Sequence, residues 1–287
     1  MAIVVLGGVL LYLESLRIPS PVKQPVKPKA GLRQKLPTRV SEYPDGQAVY
    51  SSAIVAPSAV KRAVRGRHGT IAIIIDDMGS NRHEAEQLLE IGVPLTFSLI
   101  PGLAHVRDVA EAARRKGAEV MVHIPMEPKG VENKPFERNG LLLAMSDEEL
   151  TRRLQGYLDA VPSAAGANNH MGSRFTEDRE KMRIVLELLK ERKMFFVDSK
   201  TSPASVGDHL AREMGVRTAA RNVFLDNVQD RAYIRQQIGQ LAAMSRRNGA
   251  AIGICHPHKA TISALALTLP ALRAEGITFV HASDLVR

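Results

Sequence analysis

Two aspartates stand side by side at the end of an apolar run, where residues 71–79 read Ile-Ala-Ile-Ile-Ile-Asp-Asp-Met-Gly. Adjacent carboxylates are costly to desolvate and repel each other unless a cation or a shared proton compensates. One aspartate at a strand–helix junction is an ordinary cap, whereas two in succession point to a metal or acid–base site. Similar residues recur where other apolar runs end: His123, Asn168-Asn169-His170, Asp198, Asp226-Asn227 and His256-Pro257-His258. A single histidine there reads equally well as a hydrogen-bonded structural residue. Several histidines and aspartates on one rim read as a site.

The residue types set the chemistry. Two neutral imidazoles and one carboxylate leave positions open for water and substrate, as in catalytic rather than structural zinc sites. Asp77, His123 and His170 are the expected ligands of a divalent metal, with zinc favoured by this donor set. Such a cation makes an acyl carbonyl more electrophilic and a water more acidic. Asp76, beside a ligand, is placed to act as general base. His256 is placed to protonate the leaving group or to stabilise an oxyanion as imidazolium. Asp198 is a candidate to hold the second nitrogen of an imidazole, as outer partners of ligating histidines commonly do. Spacing alone leaves His258 and Asp226 able to exchange with these roles.

For these residues to meet, the elements carrying them must run in parallel. From residue 70 onward apolar runs alternate with amphipathic stretches. Strands are predicted at 71–76, 95–100, 119–124, 165–169, 194–198, 222–226, 250–255 and 277–281. Helices are predicted at 80–91, 104–117, 146–160, 176–192, 203–215, 229–248 and 260–275, with Ser80, Ser146 (in a capping box with Glu149) and Thr176 as N-caps. Seven or eight such units imply an α/β fold, a distorted (β/α)7-type barrel of mostly parallel strands; a doubly wound open sheet is the alternative. In either fold, ligands bind outside the carboxyl ends of the strands. No Gly-x-Gly-x-x-Gly or phosphate loop is present, which argues against a nucleotide cofactor.

The motifs at these strand ends resemble a known family. Ile-Asp-Asp-Met-Gly at 75–79, His-Ile-Pro-Met-Glu-Pro at 123–128, Asn-Asn-His-Met-Gly-Ser at 168–173 and Phe-Val-Asp-Ser at 196–199 are similar to those of the divergent polysaccharide deacetylases. The resemblance spans roughly residues 70–287. It implies a distorted barrel and metal-dependent hydrolysis of N- or O-acetyl groups on glycans. It also implies that Asp76 is the base, Asp77 a metal ligand, and His256 the late histidine of the superfamily. Two features depart from the wider superfamily. Its His-x-x-x-His pair on one helix is absent, and its Arg-x-Pro-Tyr substrate motif has only Arg174, in Gly-Ser-Arg-Phe-Thr, as a loose counterpart. These departures keep open a catalytically silent barrel that binds a glycan or an envelope protein. A phosphoesterase is disfavoured, since no basic cluster suited to clamping phosphate is evident at the strand ends.

Several residues have plain readings. Asn169 and Glu127 are candidate substrate or outer contacts, though Glu127 also suits a solvated loop acid. Cys255 precedes His256 on a buried strand, where neighbours face opposite ways, so it reads as a structural thiol. His68, His83, His105 and His209 read as surface residues.

Charge bears on partners. The formal net charge is +9, but residues 71–287 hold 28 of the 39 Lys+Arg and 27 of the 30 Asp+Glu, a net of only +1. The basicity lies in the tail, and Trp is absent, so nucleic acid is not an expected partner. Residues 1–17 hold an apolar run, Ala2 to Leu13, shorter than the roughly 20 residues of a membrane span. No basic residue precedes it, which fits a signal anchor whose start lies upstream of Met1. Residues 18–69 are rich in Pro and Lys, the composition of an extended linker. The expected organisation is an anchor (1–17), a tether (18–69) and a barrel (70–287). It places the protein in the cell envelope, periplasmic and N-terminally anchored or secreted, with an acetylated glycan as its partner.

Overall fold

A computed structural model describes residues 68–130 and 140–287; the anchor and the tether expected before residue 68 lie outside the described residues. Among the described residues nine strands are interspersed with helices: β1 (Thr70–Met78), α1 (Arg82–Leu89), β2 (Thr96–Leu99), α2 (Val106–Lys116), β3 (Glu119–Met126), α3 (Asp147–Ala160), β4 (Gly166–Met171) and α4 (Arg179–Glu191). There follow β5 (Phe195–Asp198), α5 (Gly207–Glu213), β6 (Thr218–Ala220), β7 (Val223–Phe224), α6 (Arg231–Asn248), β8 (Ala250–Cys255), α7 (Lys259–Ala274) and β9 (Thr278–Val280). All ladders are parallel, in the order β6-β5-β4-β3-β2-β1-β8-β7. β9 adds to β1 over Thr70–Ala72. Since β8 occupies one edge of β1, β9 takes the other edge, below β2.

The eight strands of this path curl into a half-barrel. Its terminal strands, β6 and β7, follow each other in sequence without pairing. The chain crosses the seam at Arg221–Asn222. Arg221 N donates to Asp198 O on one side, and Asn222 N donates to Ile252 O on the other.

Period-2 alternation divides the apolar residues between two clusters. Ile71, Ile73 and Ile75 of β1, Val120 and Val122 of β3, Ala167 and Phe196 face outward and pack under the helices. Ala72, Ile74, Met121, Phe195, Val197, Ile252 and Ile254 face inward and fill the barrel. Gly166 makes room for that filling: a Cβ there would lie 2.4 Å from the Phe195 ring. Continuing each inward series one or two residues toward the carboxyl ends replaces apolar side chains by Asp76, His123, Asn168, His170, Asp226 and His256. The barrel is greasy at its base and polar at its mouth.

The helix starts differ from expectation by a few residues. Asn81, not Ser80, caps α1, and Asp178, not Thr176, caps α4. Thr176 Oγ1 donates instead to Gly172 O. Ser146 caps α3 by accepting from Glu149 N, while the Glu149 carboxylate pairs with Arg153.

Candidate active site

A regular strand would send Asp76 and Asp77 to opposite faces. The backbone prevents this. Between Ile75 and Met78 β1 spends one more residue than β2, since Ile75 pairs with Phe97 and Met78 with Leu99. The extra residue forms a bulge with Asp77 in the left-handed region, φ 57°. Aspartate is among the few non-glycine residues that tolerate this conformation. Ile75 and Met78 both pack outward, so both aspartates are left at the barrel mouth. Met171 and Lys200, at the ends of β4 and β5, are also left-handed, φ 51° and 50°.

Three atoms meet over the mouth. Asp77 Oδ1 lies 3.2 Å from His123 Nε2 and 2.9 Å from His170 Nδ1, and the two nitrogens are 3.2 Å apart. Asp77 Oδ1 is buried and accepts no well-aimed hydrogen bond despite these close nitrogens. Donors about 3 Å apart are what ligands about 2.0–2.2 Å from a shared cation present to one another. The expected ligand trio therefore fits a divalent metal. Burial by itself would raise the Asp77 pKa, but the imidazoles of His123 and His170 hold this carboxyl well below the usual carboxylate range.

Asp76 is the more buried of the pair. Desolvation pushes its pKa up against the opposing pull of His123, His256 and Asn168. Its Oδ1 accepts from Asn168 Nδ2 at 2.8 Å, and its Oδ2 is 3.6 Å from His123 Nε2. A raised, buried carboxyl facing the trio has the setting of a general base.

His256 stands across the trio, with Nε2 3.7 Å from Asp77 Oδ2. Asp226 orients it, accepting from the backbone N of His256 at 2.7 Å and facing its Nδ1 at 3.2 Å. Burial lowers the His256 pKa, but Asp226 first, then Asp77 and Asp76, raise it to about 9. Asp226, His256 and His258 form a second trio close enough for a cation. There, however, the carboxylate is already taken by His256 and by Thr261 Oγ1 at 2.9 Å. The carboxylate of this trio is satisfied by protein donors.

Other candidates sit elsewhere. Asp198 does not hold an imidazole. It lies on the outward face of β5, where its oxygens accept from Lys200 N, Ser205 Oγ and Asp208 N. Asn169 also faces away from the mouth, tying Ser199 N to the carbonyl of Met171 through its amide. Glu127 is buried rather than solvated. It accepts from Leu143 N and Arg174 Nη1, while its carbonyl accepts from Arg174 N and Phe175 N. Glu127 and Arg174 thus staple the loop after β3 to the start of the β4–α4 connection. Cys255 is buried, its thiol pKa pushed up by desolvation, as expected of a structural thiol.

Two residues of the site were given no role by the sequence. Asn168, fully buried, accepts at Oδ1 from Ser98 Oγ (2.6 Å) and faces His123 Nδ1 (2.7 Å). Its Nδ2 donates to Asp76 and to Ser199 Oγ (3.2 Å). Alternation with His170 was the signal available for it. Arg221, at the seam, donates to the carbonyls of Ser199 and Lys200 and lies over the Phe224 ring. Phe224 in turn packs against His256.

The model of the divergent polysaccharide deacetylase family matches residues 73–286. The chain belongs to this family. Family membership agrees with the resemblance of the strand-end motifs and with the barrel they decorate. Among relatives, the uncharacterized protein YibQ of Escherichia coli strain K12 is 37% identical over 218 residues, covering 76% of this chain and 67% of that protein. An uncharacterized protein of Haemophilus influenzae strain KW20 Rd is 32% identical over 212 residues, covering 74% and 75%. A similar fold is seen in the crystal structure of the uncharacterized protein ATU2773 from Agrobacterium tumefaciens C58. That structure has a TM-score of 0.73 at 24% identity and covers 77% of this chain and 91% of its own.

Proposed function

We propose that this deacetylase-family protein is a metal-dependent hydrolase that removes acetyl groups from an envelope glycan. The observation that carries this reading is the convergence of Asp77 Oδ1, His123 Nε2 and His170 Nδ1 between the buried carboxyl of Asp76 and the part-buried imidazole of His256. A divalent cation, zinc by the donor set, would be held by Asp77, His123 and His170, and it supplies Lewis acidity toward the acetyl carbonyl and a nearby water. The chain's own groups move the protons. Asp76 Oδ2, with Oδ1 pinned by Asn168, takes a proton as water adds to the carbonyl carbon. The adduct collapses when the bond from carbon to the sugar nitrogen or oxygen breaks. His256 Nε2–H, oriented through Nδ1 by Asp226, then donates its proton to that leaving atom, and acetate is released. Base and acid flank the trio, so no side chain need cross the site.

The envelope enters through the tail. The apolar segment within residues 1–17 and the Pro/Lys-rich segment 18–69 suit an anchor and tether carrying the barrel to glycan outside the cytoplasmic membrane. Among the described residues no helix is long and apolar enough to cross a membrane. The test is to purify the full chain, measure bound zinc, and assay acetate release from N- and O-acetylated glycans with wild type and Asp77→Ala. Zinc binding and acetate release, both lost in Asp77→Ala, are expected. Stoichiometric zinc without release from any glycan would favour a silent, glycan-binding barrel, and a wild type that takes up no zinc would defeat the site assignment.

A further inference from the structure

We infer that Asn168 is a positioning residue. Its amide fixes the tautomer of His123 so that the Nε2 lone pair faces Asp77, and the same amide holds Asp76 in place. The inference rests on the metal site proposed above, and it assigns a role to a residue outside both the ligand set and the acid–base pair.

Asparagine can fill four hydrogen-bonding positions, two acceptor and two donor. Asn168 uses all four while fully buried: Ser98 Oγ and His123 Nδ1 at the carbonyl, Asp76 Oδ1 and Ser199 Oγ at the amide nitrogen. The orientation is forced. Turning the amide over would set its oxygen against the Asp76 carboxylate, acceptor against acceptor, in a buried site. With the oxygen toward His123, the 2.7 Å contact requires a proton on Nδ1. In a neutral imidazole the other nitrogen then carries the lone pair. That nitrogen, Nε2, is the one 3.2 Å from both Asp77 Oδ1 and His170 Nδ1. Ser98, from β2, closes the network behind the amide. One uncharged side chain therefore readies a ligand with one end and braces the base with the other.

The two ends can be separated by substitution. Asn168→Ala removes both, and zinc affinity, read by competition with a chromophoric chelator, is expected to fall about 10- to 100-fold. Asn168→Asp keeps an acceptor for His123 Nδ1–H but turns a carboxylate toward Asp76. Its zinc affinity should stay within about threefold of wild type while acetate release falls at least about tenfold. A third measurement needs no variant. Long-range 15N–1H correlation on metal-free wild type should show His123 protonated on Nδ1 and bare on Nε2. The inference is overturned if His123 carries its proton on Nε2, if Asn168→Ala binds zinc as tightly as wild type, or if Asn168→Asp loses as much affinity as Asn168→Ala. Should either variant fail to fold, the wild-type tautomer still decides. Failure of wild type to bind zinc would sink the metal reading instead, and the two failures are thereby told apart.

Discussion

The barrel mouth carries two trios of the same composition, one aspartate and two histidines each, built for opposite ends. In Asp77–His123–His170 the three donor atoms sit 2.9–3.2 Å apart, and the carboxylate oxygen among them accepts no well-aimed hydrogen bond. In Asp226–His256–His258 the carboxylate is occupied by a backbone N–H, an imidazole and a hydroxyl. Composition is thus a poor guide to metal binding. What separates the two is whether the carboxylate oxygens already hold well-aimed donors. A carboxylate oxygen set between two imidazole nitrogens with no well-aimed donor suits a cation; a carboxylate with its donors in place raises the pKa of the imidazole it holds.

That contrast can be broken experimentally. Asp77→Asn, which keeps a residue tolerant of the left-handed backbone, should cut zinc affinity by about a hundredfold or more and take acetate release to background. Equilibrium dialysis with and without the substitution checks it; retained zinc would erase the distinction between the trios. Asp76→Asn should lower acetate release by about 10²- to 10⁴-fold with zinc content unchanged, read by turnover alongside metal analysis.

The Asp226–His256 pair predicts a pH effect. In metal-free protein Asp226 first, then Asp77 and Asp76, push the His256 pKa up from 6.5 to about 9 against the effect of burial. A raised folded pKa contributes stability that is full below about pH 6.5 and is lost as pH rises through 9. Chemical denaturation in chelator should show a decline on the order of 3 kcal/mol across that window, largely absent in Asp226→Asn. The smallest effect is expected for His258→Ala, with zinc affinity within about twofold of wild type. A large loss there would mean that the second trio binds metal as well.

Much of this was legible in the sequence. Apolar runs ended by polar residues located eight strands, and the period-2 rule carries the inward faces from Ile74 to Asp76 and from Met121 to His123. β6 escaped because Thr218-Ala219-Ala220 is three residues long and has no apolar run to betray it. The same rule, applied to β4, separates Asn168 from Asn169; adjacency in sequence hid which one shares a face with His170. Asp198 misled for the same reason, since Phe195 and Val197 face inward and the residue after them does not. Asp77 is the instructive exception. Alternation alone would have turned it toward the helices, and only the extra residue in β1 brings it back.

That extra residue matters for anyone who would move this chemistry. An Asp-Asp pair copied onto an unbulged strand of another barrel would deliver one carboxylate to the mouth and bury the other under a helix. Conversely, deleting a single residue at position 76 or 77 would restore an ordinary ladder with β2 and spare the core. The fold could survive intact while the site vanished. The reach of both carboxylates into the barrel mouth is stored as a miscount between two neighbouring strands, and a transplant must carry the miscount along with the side chains.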